Sequence, residues 1–379
     1  MTKRLRRFEP RSNTVGRVAS ILLPSSTPGV VNVAENMFTN RAGAVSPPYS
    51  APSGCSVEEG GLAPSPQKLK HLPARSGMVV LEQLGFMLVF LAVGAVASGV
   101  GLLTAGRTET LTAVAFYVAL PALVFASTFD RALGELVSPA LLVGLWAVLG
   151  VTAIAGWVVH RHRASDARRS VAIVQSYHGN MGFLGLPLVA VTLGGEAAAI
   201  ASVVLGLGTL THIPVTVLTL VRINDSDASL AGELRALATN PVLVSLAAGI
   251  AASVGGVAVP SPAVTGLDAI STLALPLALV CVGAKLDAEL SLSRLRPTTG
   301  VVLLKIVWMP VLAWAVFSAL GVGSTALSAA VIMLGVPTAV STYVYTSELG
   351  GDETFASMNV VVTTVASFGT LSVLVWLLG

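Results

Sequence analysis

Long apolar runs separated by short polar loops dominate the chain from residue 78 onward. Ten of these runs approach the roughly 20 residues that a helix needs to cross a bilayer. They cover residues 79–103, 111–129, 138–159, 171–193, 197–221, 241–259, 266–286, 299–321, 326–347 and 354–378. The pattern predicts an all-α polytopic membrane protein with ten transmembrane helices.

The fourth apolar run cannot form a smooth helix. Gly179, Gly182 and Gly185 recur at every third position, Asn180 lies between the first two, and Pro187 follows. These residues weaken the backbone hydrogen bonds in a place where lipid offers no replacement. We therefore predict a break in this span. Because proline suits the first turn of a helix, a second half-helix is expected to start at Pro187, with its positive end attracting an anion.

The ninth apolar run repeats this interruption. It contains Gly335 and Pro337, followed by the hydroxyl residues Thr338 and Ser341. One proline in a membrane helix is weak evidence, because such kinks are tolerated. Paired interruptions in two halves of a chain are typical of a transporter site.

A second repeated motif links the two halves of the chain. The second run contains Ala-Leu-Pro-Ala-Leu-Val around Pro121, and the seventh contains Ala-Leu-Pro-Leu-Ala-Leu around Pro276. Pro121 precedes Pro187 by 66 residues, and Pro276 precedes Pro337 by 61 residues. The similar spacing indicates an internal duplication.

The duplication also predicts how the two halves are related. Five spans per half is an odd number, so the second half enters the membrane in the opposite sense to the first. We expect inverted repeats at about residues 78–222 and 236–379, with helices four and nine broken.

Composition excludes most other classes of protein. Hydrophobic residues make up 54% of the 379 positions and charged residues 11%, and the mean hydropathy is +0.82, unlike a soluble domain. The net charge of +3 comes from a basic tail and loops, so nucleic-acid binding is not expected. Cys55 and Cys281 support neither a disulfide framework nor a metal site. The sequence shows no catalytic or nucleotide-binding motif, so we expect no enzyme activity and no cofactor.

The N-terminal region differs from the rest of the chain. Residues 1–77 hold ten Lys or Arg against four Asp or Glu, and no run there is long enough to cross a membrane. We expect this tail to be disordered. Met78 immediately precedes the first span, so a start at that residue is the alternative.

Basic loops predict the orientation in a plasma membrane. The loops after spans one, three, five, seven and nine contain all but one of the arginines that lie between spans, the exception being Arg131. The positive-inside rule places these loops in the cytoplasm and both termini outside.

The breaks supply the candidate anion-binding residues. Asn180 can donate and accept, so it either binds a carboxylate or repairs a freed backbone carbonyl. Thr338 and Ser341 either bind the anion or bond back to their own helix. The full candidate set is Gly179, Asn180, Gly182, Gly185, Pro187, Gly335, Pro337, Thr338 and Ser341.

Two further residues are candidates for a proton or charge role. His178 adjoins the fourth-span break, where it either carries protons or is a structural imidazole. Lys305 lies within the eighth span, where it either balances a bound anion or extends to the interface.

The fourth-span motif Gly-Asn-Met-Gly-Phe-Leu-Gly-Leu-Pro, the two Ala-Leu-Pro segments and Glu-Thr-Phe-Ala-Ser at residues 353–357 resemble the auxin efflux carrier family. That family comprises plant carriers and prokaryotic relatives described as malonate or organic-acid permeases. The resemblance covers residues 78–379. It implies two inverted five-helix repeats similar to sodium/proton antiporters and bile-acid symporters, with spans four and nine crossing at their broken centres. It places the substrate anion near Asn180, Pro187 and Pro337, and Pro121 and Pro276 in a static scaffold.

These observations predict a secondary or gradient-driven carrier of a small organic anion, such as malonate or an auxin-like acid, working by alternating access. The expected partners are the anion, a proton or sodium ion as coupling ion, the lipid bilayer and, as one assembly, a second copy in a homodimer. The alternatives are a sodium- or proton-coupled symporter of the bile-acid type and a non-transporting membrane sensor subunit.

Overall fold

The computed structural model describes residues 74–226, 230–285 and 296–379. The regular elements in these ranges are all helices. The predicted tail lies outside the described residues except for residues 74–77, which belong to the first helix. The α-helices are α1 (Ala74–Gly99), α2 (Ala105–Val114), α3 (Leu120–Thr128), α4 (Leu133–Leu136), α5 (Pro139–His160), α6 (Asp166–Tyr177), α7 (Leu186–Leu193), α8 (Gly195–Asn224), α9 (Leu230–Ala238), α10 (Pro241–Val254), α11 (Ser261–Ser271), α12 (Ala274–Ala284), α13 (Thr299–Val302), α14 (Met309–Ala319), α15 (Ser324–Gly335), α16 (Ser341–Glu348) and α17 (Glu353–Leu378).

Six continuous helices in the described ranges are long and apolar enough to cross a membrane. They are Ala105–Thr128, Pro139–His160, Gly195–Asn224, Ser261–Ala284, Arg296–Ala319 and Glu353–Leu378. A seventh crossing results if α9 and α10, which meet at a bend of 50°, form one span. The prediction of an all-helical polytopic membrane protein is therefore confirmed.

Three prolines inside the spans, Pro121, Pro187 and Pro310, follow π-helical turns. The segments Ala115–Ala119, Met181–Gly185 and Leu303–Trp308 are π-helical, and each is followed by an α-helix with proline in its first turn. The wider turn shifts the register of backbone bonds; Leu186, for example, donates to the Met181 carbonyl five residues earlier. The missing proline N–H is thus accommodated without ending the helix.

Helices from the two halves of the chain pack closely on each other. Helix α1 lies along α12, and α3 packs on α10 and α11. The first pair is in backbone contact, because a Cβ atom at Gly94 would collide with the Val280 carbonyl, and one at Gly283 with the Leu91 carbonyl. Small residues allow such close approach between membrane helices.

The remaining long helices enclose the interrupted spans. Helix α8 packs against α6, α7 and α15, and α5 packs against α14. The face of α15 is buried throughout Ala329–Leu334, so this short helix lies in the protein interior rather than against lipid. Its interruption is therefore surrounded by protein, as an irregular backbone at membrane depth requires.

Candidate functional site

The two predicted breaks meet in the structure. Gly179 and Thr338 form an isolated antiparallel bridge. The N–H of Asn180 donates to the Pro337 carbonyl over 2.8 Å, and the N–H of Ala339 donates to the His178 carbonyl over 3.1 Å. Each interrupted segment thus supplies the hydrogen bonds that the other has lost, which explains how both breaks are tolerated inside apolar spans. We call residues 178–180 and 337–339 the crossing.

The second half of the fourth span begins earlier than expected. We predicted a helix start at Pro187, but the chain resumes as a π turn at Met181, with Asn180 as its N-cap, and Pro187 lies one residue into α7. The prediction was wrong because the π turn accommodates the proline without interrupting the helix. The half-helix end therefore lies next to Asn180.

Helix ends of both polarities converge at the crossing. Helix α6 ends at Tyr177 and α15 ends at Gly335, whereas the segment from Met181 and helix α16 from Ser341 begin there. Helix starts carry partial positive charge and helix ends partial negative charge. The site therefore offers N–H donors to an anion from two directions.

The side chain of Asn180 is buried and can still bind a further partner. Its exposed fraction is 6%. Its carbonyl accepts from the N–H groups of Leu184 and Gly185, while its side chain makes no cap hydrogen bond. Repair of the freed helix is thus carried out by the backbone, which leaves the side-chain amide for another partner.

The four candidate glycines differ in what they permit. A Cβ at Gly179 would lie 3.0 Å from Lys305 Nζ, whereas one at Gly182 would find only ordinary contacts at 3.7 Å or more. At Gly185 it would lie 2.8 Å from Met333 Sδ, and at Gly335 2.7 Å from Leu374 Cδ1. Gly185 and Gly335 therefore serve helix packing, whereas Gly182 has room beside it.

The two hydroxyl candidates, Thr338 and Ser341, differ in burial and in hydrogen bonding. Thr338 is fully buried, its hydroxyl donates to the Gln175 carbonyl over 2.8 Å, and its N–H donates to Thr363 Oγ1 over 3.2 Å. Ser341 is exposed at the first position of α16. Thr338 thus holds the two spans together, and Ser341 is the more accessible hydroxyl.

Lys305 lies at the crossing rather than at the membrane interface. Its side chain is fully buried, and Nζ donates to the Leu334 carbonyl over 2.7 Å and lies 3.3 Å from Met309 Sδ. The ammonium therefore meets the negative end of α15, where a cation is stabilised. The side chain is thus held inside the protein and is not extended to the interface, and a charge-balancing role stays a prediction.

The His178 side chain packs against α8. Its Nδ1 lies 2.8 Å from Thr216 Oγ1, and its ring centroid is 4.8 Å from that of His212. The Tyr177 hydroxyl is 3.3 Å from the same Thr216 oxygen. The imidazole is therefore part of a buried polar cluster behind the crossing.

A buried amide network was missed by the sequence analysis. Gln175 Nε2 donates to Thr342 Oγ1 over 2.9 Å and to the Ala356 carbonyl over 3.1 Å, and Asn359 Nδ2 donates to Gln175 Oε1 over 2.8 Å. Both amides are fully buried. An amide in an apolar run is itself a signal for interhelical bonding, and it could have identified both residues.

Basic residues predicted to set orientation also bind neighbouring segments. Arg168 Nε lies 2.7 Å from Asp352 Oδ2, and Arg163 Nη2 donates to the Pro297 carbonyl over 2.7 Å. Burial raises the pKa of Asp352, but hydrogen bonds from Arg168 and from the Phe355 N–H outweigh it, and the net pKa is lowered. This ion pair ties the start of α6 to the start of α17.

A cavity of about 550 Å³ lies away from the crossing, between the ends of α3 and α10. Asp130 and Arg131 contribute its charged groups. Arg131 Nε lies 3.6 Å from Asp130 Oδ1, so the positive charge in this cavity already has a negative partner. The crossing is therefore our candidate site.

Comparison with known proteins agrees with these features. The sequence profile of a family described as "Membrane transport protein" matches residues 79–377. A protein of Rhizobium meliloti (strain 1021) named "Putative malonate transporter" is 27% identical over 272 residues, which are 69% of this chain and 84% of that protein. This is a transporter family, not a family of enzymes. The chain belongs to this membrane transport protein family, of the auxin efflux carrier and malonate permease type.

Proposed function

We propose that this membrane transport protein carries a small organic anion by alternating access, and that the crossing binds the anion. The observation that carries the proposal is that the buried Asn180 amide and the buried Lys305 ammonium lie where two helices start. Such a point stabilises a carboxylate through backbone N–H groups and fixed positive charge.

The proposed transmembrane arrangement is ten crossings in two inverted repeats. The bent pair α9–α10 and the shorter apolar helices Gly85–Gly99, Met181–Leu193 and Ser324–Gly335 supplement the six long helices. Contacts between spans are reciprocal: the first packs on the seventh and the second on the sixth, which exchange under an inverted repeat. Basic loops facing the cytoplasm, termini outside and insertion in the plasma membrane complete the arrangement.

The moving part is proposed to consist of spans three to five and eight to ten. Spans one, two, six and seven, with Pro121 and Pro276, form the static scaffold. The strong α1–α12 and α3–α10 packing supports a rigid scaffold. Movement of one part past the other would open the buried crossing to each side in turn.

Malonate is the first substrate to test, because the relative from Rhizobium meliloti is named for it. A short dicarboxylate also suits a site with two helix starts. At the end of α15 the Lys305 ammonium occupies the place where a coupling cation binds in other broken-helix carriers. This favours an anion carrier over a sodium symporter of the bile-acid type.

Counterflow in proteoliposomes tests the proposal. Vesicles containing the full chain are loaded with one unlabelled carboxylate, and entry of the labelled compound is measured for malonate, succinate, acetate and indole-3-acetate. We expect entry of at least one anion well above that in protein-free vesicles. No exchange of any compound by protein shown to be inserted and folded would contradict the proposal.

A further inference from the structure

His178 in the crossing and His212 behind it form a buried pair whose imidazole rings the proposed anion site does not use. His212 is 3% exposed and lies in α8, two residues before Pro214. Its Nε2 is buried and has no hydrogen-bond partner among the described residues. An unpaired buried polar nitrogen destabilises the fold, so its presence in the interior points to a role beyond packing.

The two imidazoles are close enough to share one positive charge but not two. Their ring centroids lie 4.8 Å apart with 34° between the planes. His178 is held by its Nδ1 contact with Thr216, so Nε2 of His212 is the nitrogen with room for an added proton. Like charges at this distance in a dry interior repel strongly, which limits the pair to one added proton.

Other titratable groups surround this pair. Tyr177 faces the pair, with its ring centroid 6.0 Å from that of His212. Tyr345 packs in the same cluster as Tyr177, and Glu233 and Glu348 interact with Tyr345. Lys305 Nζ lies 3.0 Å from the position of a Cβ atom at Gly179, the residue that follows His178. The positive charge of Lys305 is therefore close to one member of the pair.

We propose that the His178–His212 pair is a proton site that couples anion transport to proton movement. The inference rests on the proposed anion site. An anion bound beside Lys305 offsets its positive charge, so Nε2 of His212 takes one proton from the aqueous phase when the anion binds. The proton leaves to water on the other side when the anion is released. One proton thus accompanies each anion.

A proton suits this cluster better than a metal ion does. Within the described ranges, no group of three or more His, Cys, Asp or Glu residues comes together to hold a metal. The pair is also connected to the crossing by the chain itself, because the His178 carbonyl accepts from Ala339. Rearrangement of the crossing would therefore move one of the two imidazoles.

Thermodynamic reciprocity gives the size of the effect. If anion binding raises the affinity for the proton, proton binding raises the affinity for the anion by the same factor, which is typically about 5- to 150-fold for linked sites. Malonate affinity is therefore expected to weaken by a factor in this range as the pH rises far enough to remove the proton.

The test compares wild type with His212→Gln and with His162→Gln, an exposed loop histidine as matched control. Malonate counterflow without a pH gradient and malonate accumulation driven by acid outside are measured in the same proteoliposomes. We expect wild type and His162→Gln to show both malonate counterflow and acid-driven accumulation. His212→Gln should need a higher malonate concentration for half-maximal counterflow, by about 5- to 150-fold, should still exchange malonate when both sides are saturated, and should lose at least tenfold of the acid-driven accumulation.

A second measurement uses wild-type protein alone and so does not require that a variant folds. Malonate is added to purified wild-type protein in weakly buffered solution at pH 7.5, and the pH of the solution is recorded. Alkalinisation by about one proton per bound malonate is expected. Counterflow without alkalinisation, or acid-driven accumulation that survives in His212→Gln, would overturn the inference while leaving the anion carrier intact. Absence of counterflow for the whole carboxylate panel in wild type would instead contradict the proposed function.

Discussion

Lys305 determines the electrostatic character of the crossing at the scale of single residues. Its ammonium meets the Leu334 carbonyl at the end of α15 and lies against Gly179. The sequence places a cation in the eighth span, but 29 residues separate Lys305 from Leu334. A bond from a side chain to a distant backbone carbonyl leaves no pattern in a sequence, so the sequence does not show where the Lys305 ammonium lies.

Lys305→Gln should weaken anion binding. The glutamine amide can still donate to the Leu334 carbonyl, but the positive charge is lost. A hydrogen bond involving a charged group is worth roughly 1.5–3 kcal/mol, so we expect about a tenfold or greater increase in the malonate concentration for half-maximal counterflow. Lys285→Gln, at an exposed span end, is the control and should change it little. Equal effects of the two substitutions would contradict the charge role.

The ion pair between Arg168 and Asp352 predicts that the stability of the protein depends on pH. Because the folded-state pKa of this carboxyl is lowered, its stabilising contribution is present above its unfolded value of about 3.9 and lost as pH falls through the folded value. Asp352→Asn keeps an N-cap and should cost up to about 1 kcal/mol near pH 7, whereas Asp352→Ala should cost about 1 kcal/mol more. Thermal unfolding in detergent measures both, and the difference between wild type and Asp352→Asn should shrink below pH 4.

Paired interruptions organise the molecule at the scale of helices. Both breaks were predictable, because glycine and proline close together in an apolar run weaken the helix at that point. The start of the second half-helix at Met181 was not, because a π turn depends on backbone register rather than on residue type. The bond from Asn180 to Pro337 follows once the two spans cross, yet sequence alone does not fix which residues pair.

Contact between α1 and α12 gives a prediction at this scale. Gly283→Ala adds one methyl group that collides with the Leu91 carbonyl, so we expect a loss of stability of about 1–3 kcal/mol. Gly266→Ala is a matched control, because nothing lies within 4 Å of its added Cβ on α11. Thermal unfolding and the fraction of monodisperse protein in detergent report the difference. Equal stability of the two variants would contradict the close packing.

At the scale of the whole molecule, alternating access requires that the moving part slides past the scaffold. Ser127 on α3 and Ser202 on α8 lie on opposite sides of the proposed boundary between scaffold and moving part, with hydroxyl oxygens 3.0 Å apart. Ser170 on α6 and Asn224 on α8 make a comparable contact of 3.0 Å within the moving part. These two contacts offer a matched pair for cross-linking.

Cysteines at positions 127 and 202, in a chain with Cys55→Ser, should form a disulfide that arrests counterflow, and reductant should restore it. Cysteines at positions 170 and 224 should cross-link without arrest, because both helices move together. The rates of labelled malonate exchange before oxidation, after oxidation and after reduction provide the measurement. Full exchange by the oxidised 127–202 variant would refute the proposed boundary.

The most direct test of the crossing compares malonate counterflow in Asn180→Ala and Asn240→Ala. Asn240 caps α10 through its side chain, whereas the Asn180 side chain caps nothing. We predict that Asn180→Ala keeps wild-type thermal stability and loses at least tenfold in counterflow. Asn240→Ala should lose about 1 kcal/mol of stability and keep its apparent malonate affinity. Wild-type counterflow by folded Asn180→Ala would show that the anion binds elsewhere.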